Sequence, residues 1–374
     1  MKRKGSRMTG NDSLAVNVKL DLSDVPLLLN EYRRQFESEL NSKDHQWVNN
    51  IYLVKSSILI GELEALLNAN LAAKDFKNLW LAIPEIIEWS TVKGFMYTGG
   101  RREVHADISL QGFLKTVKPD APLTLDLLRL SKVQCADADH NPTFRKWPVL
   151  KRLYAEIDYV GKKYILNDGK WFSVAPDFVS KTDADFARIP MSKLVMPFYQ
   201  GGGEGAYNAG VAAAEPERYA LRDDTKKVMH GRGHGQVEIC DLFSIDRELI
   251  HVKLYGKSCV FSHLFSQGFV SAQLLQIDAD FRKKVREKLA ARFVDLVEIN
   301  RKPGQDEFTV VYAVISEEKG GALRLPFFSR VNLNNTAKVP RGFGYKVELL
   351  KISVDERYAK TTKLPPSKKK GRAA

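Results

Sequence analysis

Residues 236–275 read QVEICDLFSIDRELIHVKLYGKSCVFSHLFSQGFVSAQLL, and this stretch predicts a strand, a tight turn, a second strand, a short turn and a helix. Residues 244–248 are polar and short enough to connect the two strands as a hairpin. Side chains alternate along a strand, so His251 and Lys253 share one face of the second strand. In the first strand, Asp241 ends an otherwise apolar row. The sequence therefore predicts that a carboxylate and an ammonium group meet at one end of a hairpin.

An Asp and a Lys on neighbouring strands form the arrangement that a metal-dependent phosphodiesterase needs. Asp241 would hold Mg²⁺ or Mn²⁺, and Lys253 would act as the base or stabilise charge on a phosphate. Gln267, one helical turn past His263, would reach the phosphate or the water. Glu238 joins Asp241 as a metal ligand only through a β-bulge, because alternation places it on the other face. The alternative interpretation is a structural ion pair at the end of a sheet.

The segment Gly256-Lys257-Ser258 lies between a predicted strand and a predicted helix, which is the context of a phosphate-binding P-loop. The full P-loop pattern needs a glycine where this chain has His251. The start of the helix would still bind one phosphate through its free N–H groups. The positions predicted to contact nucleic acid are Lys257, Ser258, Arg232 and His263.

Two other kinds of site have partial support in the sequence. His230, His234 and Cys240 have borderline zinc spacing, but no fourth ligand is apparent. Cys259 at the start of the predicted helix could have a lowered thiol pKa, but no histidine partner is defined. We therefore interpret these residues as structural.

The chain has 374 residues and a net charge of +13, and its length is sufficient for two or three domains. Four of the positive charges lie between residues 2 and 7 and six between residues 360 and 372, so the rest of the chain carries only +3. Such basic ends hold polyanions loosely and in a salt-sensitive way. No apolar run approaches the roughly 20 residues needed to cross a bilayer, and the first residues lack an apolar signal region. With only three scattered cysteines, we expect a cytoplasmic protein in a reducing compartment.

The predicted fold class is α/β, with an antiparallel meander between two α/β portions. The meander follows from turn signals at Gly161 and at residues 167–169. After it we predict a helix at residues 207–220, and then the order strand, strand, helix, helix, strand, connecting segment at 325–338, strand. The predicted divisions are a basic disordered tail at 1–13, an α/β domain at 14–150, the meander at 151–200, a mixed-sheet domain at 201–353 and a second basic disordered tail at 354–374.

The hairpin and its helix resemble the restriction-endonuclease-like nuclease superfamily, whose core places an Asp on one strand and an acid-x-Lys triplet on the next. Here the triplet is His251-Val252-Lys253, so the second acid is missing. Imidazole is a poorer ligand for magnesium than for manganese and other transition ions. The resemblance therefore implies a nuclease-like C-terminal domain whose metal site departs from the superfamily pattern.

Residues 79–352 also resemble a sporadically distributed bacterial family found among mobile and anti-phage defence loci. The resemblance rests on the segments LWLAIPEIIEW, YILNDGKWF, VEICDLF, IHVKLYGKS, SHLFSQGFVSAQLL and LPFFSRVNL. The family pattern has an acidic residue after Tyr207-Asn208, where this chain has Ala209, so the resemblance supplies no helix-borne carboxylate. No established activity comes with this resemblance.

The leading hypothesis is a nuclease-like protein of bacterial genome defence that cuts DNA, or alternatively RNA, by metal-assisted hydrolysis. The second is a non-catalytic nucleic-acid-binding or sensor module on a degenerate nuclease fold, which His251 in place of an acid favours. A third is an interaction or toxin component that uses the glycine-rich loops. The oligomeric state stays open, with a homo-oligomer among the options.

Overall fold

A computed structural model defines two units of the chain, Met1–Ile51 and Tyr52–Ala374. The residues that it describes are 7–10, 14–17, 21–37, 46–82, 92, 94–99, 103–105, 108–137, 139–221, 228–230, 235–237, 239–255, 258–318, 320 and 323–358. The fold is α/β, as the sequence predicts.

Among its described residues, the first unit contains a small hairpin, one α-helix and two short 3₁₀ helices, the second at Gln46–Asn50. Strands β1 (Arg7–Gly10) and β2 (Leu14–Asn17) pair antiparallel. A single 3₁₀ turn then leads into helix α1 (Val25–Glu37). Pro26 lies in the first helical turn, where its missing N–H removes no intrahelical hydrogen bond.

The second unit begins with a five-stranded sheet in the order β3-β10-β9-β8-β4. Its strands are β3 (Ile51–Leu53), β4 (Leu79–Leu81), β8 (Leu153–Tyr159), β9 (Lys162–Asn167) and β10 (Lys170–Val174). The predicted meander is confirmed as β8-β9-β10, with antiparallel pairing throughout. Asp168 and Gly169, in the second turn, have φ of 48° and 72°, which is the left-handed geometry that an Asn-Asp-Gly turn favours. The meander thus shares one sheet with strands from before residue 150.

A three-stranded antiparallel sheet and several helices complete this half of the unit. The strands are β5 (Gly94–Tyr97), β6 (Lys132–Ala136) and β7 (Pro142–Pro148), and the helices are α2 (Ser57–Ala72), α3 (Leu110–Leu114), α4 (Leu125–Leu130), α5 (Val149–Arg152) and α6 (Pro176–Ala187). The buried leucines of α2 repeat every four residues, at Leu63, Leu67 and Leu71. This spacing places them on one face, and they pack into the same core as Leu153 and Trp171 of the five-stranded sheet.

The second five-stranded sheet is mixed and has the order β11-β14-β15-β16-β17. Its strands are β11 (Tyr219–Leu221), β14 (Leu242–Ser244), β15 (Glu248–Leu254), β16 (Thr309–Ser316) and β17 (Lys346–Ser353), and a separate small hairpin holds β12 (Val228–His230) and β13 (Gly235–Val237). Strands β11, β14 and β15 pair antiparallel, and β15, β16 and β17 pair parallel. The predicted hairpin around residues 244–248 is therefore confirmed.

Helices cover both faces of the mixed sheet. They are α7 (Glu204–Ala214), α8 (Ser258–Ile277), α9 (Ala279–Lys288), α10 (Ala291–Val294), α11 (Phe327–Thr336) and α12 (Lys338–Gly342). On one face, Tyr207 and Val211 of α7 pack with Ile250 and Val252. On the other face, α8 packs against β15 and β16. No helix within the described ranges is long and apolar enough to span a membrane.

Two sequence predictions in this half are wrong in detail. The helix predicted at residues 207–220 begins at Glu204 and ends at Ala214, because Pro216 disfavours helical geometry in the residue before it. Residues beyond it form β11, which pairs with β14. The predicted connecting segment at 325–338 contains helix α11, which begins directly after Pro326.

Candidate functional site

The candidate site lies where β15 extends beyond β14, while its other edge stays paired with β16. The ladder between β14 and β15 runs through the pair Leu242–Ile250, and one more hydrogen bond joins Asp241 N to Ile250 O at 2.9 Å. Beyond that point, the N–H groups of Val252 and Leu254 point towards the same edge, because alternate residues of a strand do so. A free strand edge of this kind needs acceptors for its N–H groups.

Two carboxylates accept these hydrogen bonds. Asp241 Oδ2 accepts from Val252 N at 2.7 Å, and Glu204 Oε1 accepts from Leu254 N at 3.0 Å. The two N–H groups are two residues apart, which is about 6.6 Å along a strand. Both carboxylates are therefore fixed at one short edge by backbone geometry.

Lys253 joins the same edge through an ion pair. Its Nζ lies 2.5 Å from Glu204 Oε2, and each side chain of the pair is only 19% exposed. The structure thus brings the two residues at the centre of the sequence prediction, Asp241 and Lys253, to the same edge. It adds Glu204, a helix-borne carboxylate that the sequence did not assign to the site.

A turn made of glycines positions Glu204 at the edge of β15. Gly201, Gly202 and Gly203 have φ of 88°, 85° and 91°, a region that residues with a side chain rarely adopt. Gly203 N donates to Tyr199 Oη at 2.9 Å, and Tyr199 N donates to Ser353 O of β17 at the same distance. The turn is therefore held against the end of β17 and starts α7 with Glu204 as its first residue. In the sequence, the signal for this arrangement is a run of glycines followed by an acidic residue, which indicates a turn that leads into a helix with the acid in its first turn.

His251 lies away from the edge, in the core under α8. Its side chain is 1% exposed, its Nε2 is 3.4 Å from Ser271 Oγ, and its ring lies 6.1 Å from that of Tyr312. Burial and the neighbouring charge of Lys253 lower the pKa of His251 to about 3. The imidazole is therefore neutral at physiological pH.

Of the other predicted site residues, three lie on helix α8 and three lie outside the described residues. Gln267 is on α8, where its backbone carbonyl accepts a hydrogen bond from Ser271 Oγ at 2.9 Å. Ser258 is the first residue of α8, and His263 follows in the second turn. The remaining three, Arg232, Glu238 and Lys257, lie outside the described residues.

The end of β15 also touches the first sheet. Tyr255 directly follows β15, and its N–H donates to Ile315 O at 2.7 Å. Its Oη accepts a hydrogen bond from Trp80 Nε1 of β4 at 3.0 Å. Burial raises the pKa of Tyr255 to about 12, so this phenol stays protonated and does not serve as a base near neutral pH.

The donor set at the edge suits a hard cation. Within the described residues, no three Asp, Glu, His or Cys side chains converge closely enough to hold a metal ion. Asp241 and Glu204 nevertheless place two carboxylates at one edge, and carboxylate oxygens are the ligands that Mg²⁺ prefers. Lys253 adds a positive group at hydrogen-bonding distance. The edge thus combines oxygen donors with a cation that would neutralise a bound phosphate.

No curated protein and no solved structure matches this chain. One family matches residues 1–353, which include both five-stranded sheets and the Asp241–Glu204–Lys253 edge. The chain therefore belongs to a family of unknown function, DUF6119.

Proposed function

We propose that this chain is a metal-dependent, nuclease-like protein that hydrolyses phosphodiester bonds of DNA at the Asp241–Glu204–Lys253 edge. The observation that carries the proposal is the position of Glu204, whose carboxylate bridges Lys253 Nζ and Leu254 N beside Asp241. It supplies the second acid that the triplet His251-Val252-Lys253 lacks. The resemblance to restriction-endonuclease-like nucleases supports the same conclusion.

The three side chains have different roles: two bind the metal ion and one stabilises charge on the phosphate. Asp241 and Glu204 would hold Mg²⁺ or Mn²⁺, which would supply an activated water and neutralise charge on the phosphate. Lys253 stabilises the negative charge that develops on the phosphate. Asp241 and Glu204 are held by the Val252 and Leu254 N–H groups, so the edge is preorganised. His251, being buried and neutral, acts only through packing.

The sequence supports a biological role for this activity. The resemblance to a family of mobile and anti-phage defence loci supports a role in bacterial genome defence in the cytoplasm. The lysines and arginines at both ends of the chain support contact with nucleic acid through its phosphates. A homo-oligomer fits this role equally well, because paired cuts in duplex DNA need two sites.

The test is cleavage of supercoiled plasmid by purified protein with Mg²⁺ or Mn²⁺. We expect Asp241→Asn, Lys253→Met and Glu204→Gln each to lower the cleavage rate by about 100-fold or more, because each removes a charge that acts on the transition state. The matched control is Glu215→Gln, which follows the same helix and pairs with Arg218 at 3.8 Å in an exposed position. Cleavage that survives all three site substitutions would rule out this edge as the active site.

A second candidate function is a non-catalytic module that binds nucleic acid. It is favoured by the same hydrogen bonds, since both carboxylates already cap the edge of β15, and by the burial of His251 at the position of an acid. This alternative predicts salt-dependent DNA binding without cleavage in either metal. Binding measured at several salt concentrations, alongside the plasmid assay, separates the two functions.

A further inference from the structure

We propose that Asn208 supplies a third oxygen ligand, its side-chain amide carbonyl, to the divalent cation held by Asp241 and Glu204. This inference rests on the proposed function and identifies the site as one whose protein ligands are all oxygen atoms. Asn208 is 2% exposed. Its Oδ1 is buried and has no hydrogen-bond partner among the described residues.

The geometry of α7 places Asn208 beside the edge. Residues four apart lie on the same face of a helix, so Asn208 follows Glu204 on the face that carries the buried Tyr207 and Val211. That face packs on the sheet at Ile250 and Val252. Val252 is the residue whose N–H binds Asp241. The amide of Asn208 is therefore enclosed between the helix and strand β15, whose N–H groups bind both acids.

A buried amide oxygen without a partner needs an explanation, because it has lost its hydrogen bonds to water and gained none. Ordered water or an ion is the usual partner in such cases. Amide carbonyls are regular ligands of hard divalent cations, together with carboxylates. Two carboxylates and one neutral amide give an all-oxygen set, which suits Mg²⁺ or Mn²⁺ and not a thiolate-preferring or imidazole-preferring ion.

The test measures binding of Mn²⁺ alone by isothermal titration calorimetry and by electron paramagnetic resonance, without nucleic acid. We expect Asn208→Leu to weaken Mn²⁺ binding by at least tenfold and to leave the metal-free protein as stable as the wild type or more so, because the uncompensated oxygen is gone. Asn208→Asp, which keeps an oxygen, should retain binding. Should the leucine variant fail to fold, Asn208→Ala replaces it.

Two outcomes separate this inference from the proposed function. Wild-type Mn²⁺ binding that depends on Asp241 and Glu204 but is unchanged in Asn208→Leu would overturn the role of Asn208 alone. Absence of Asp241-dependent Mn²⁺ binding in the wild type would overturn both. As a control, Asn334→Leu alters another residue with a buried, unpartnered oxygen on α11, and it should leave Mn²⁺ affinity unchanged.

Discussion

At the scale of the residue, two positions on one face of β15 differ in their exposure to solvent. Lys253 is 19% exposed and pairs with Glu204, whereas His251, two residues earlier, is 1% exposed. Alternation correctly predicts that the two side chains leave the strand on the same face. It does not show that α8 covers His251 while the long lysine side chain reaches the free edge. His251 is therefore a packing residue in this fold.

The burial of His251 has a consequence for stability. Its pKa is lowered from 6.5 to about 3 in the folded protein, so between these values the unfolded chain binds a proton that the folded chain does not. The free energy of unfolding should therefore fall as pH decreases from 6.5 towards 3, by up to about 1.4 kcal/mol per pH unit from this residue. Above pH 6.5 the contribution is complete. In His251→Phe we expect a flatter pH dependence over this window.

Urea unfolding at a series of pH values checks this expectation. His140→Asn is the control for the loss of a histidine, since His140 lies in a turn with φ of 62° that asparagine tolerates. Parallel curves for the wild type and His251→Phe would contradict the assigned burial effect.

At the scale of the element, local patterns predicted the hairpins but not that Glu204 lies beside Asp241. The β14–β15 hairpin and the β8-β9-β10 meander are built from neighbouring residues, and their turns carry polar or Asn-Asp-Gly signals. Glu204 comes from a helix 37 positions before Asp241, and the glycines before it resemble a linker. Only tertiary packing of α7 on the sheet brings the two acids together. Long-range contacts of this kind leave no periodic signal in one sequence.

Helix packing on this sheet depends on a glycine in α8. A Cβ at Gly268 would lie 2.6 Å from Tyr312 Oη of β16, and Tyr312 is fully buried and donates to Phe265 O at 3.1 Å. We expect Gly268→Ala to lower the free energy of unfolding by about 1–3 kcal/mol, because neither the ring nor the helix has room to move. Denaturant unfolding measures the change.

Gly210→Ala provides the matched control within α7. A Cβ at Gly210 meets no atom within 4 Å, so the added methyl group should raise stability by about 0.5–1 kcal/mol through helix propensity. Equal effects of the two alanines would show that the contact with Tyr312 does not limit the approach of α8 to the sheet.

At the scale of the whole second unit, a buried acid connects the two five-stranded sheets. Glu156 of β8 is 7% exposed and accepts hydrogen bonds from Tyr154 Oη at 3.1 Å and from Phe327 N, the first N–H of α11. Arg330 and Lys163 lie 3.6 and 3.9 Å from its Oε2. Burial raises the pKa of Glu156, and the Phe327 N–H and the two cations oppose that shift. The first sheet therefore anchors a helix that packs on α8 of the second.

The sequence pattern assigned the meander and the mixed sheet to separate domains. It gave Glu156 no role beyond its place in an alternating strand. Its role depends on Phe327 and Arg330, which lie more than 170 residues later. If this buried acid couples the sheets, removing it should weaken the whole unit. We expect Glu156→Ala to lower the free energy of unfolding by about 3 kcal/mol, because the N–H of Phe327 and two cations lose their shared acceptor in a buried site.

Asp158→Ala is a stringent control, since Asp158 lies on the same strand and also pairs with Lys163, at 2.9 Å, but is 71% exposed. An exposed pair contributes little, so the change should be about 0.5 kcal/mol. All five tryptophans lie between residues 47 and 171, so their fluorescence reports on the first half of the chain, while circular dichroism reports on all of it. Coupled sheets give coincident transitions for the two probes in the wild type. Separate midpoints, together with a small effect of Glu156→Ala, would mean that the sheets unfold independently and that Glu156 serves only its own strand.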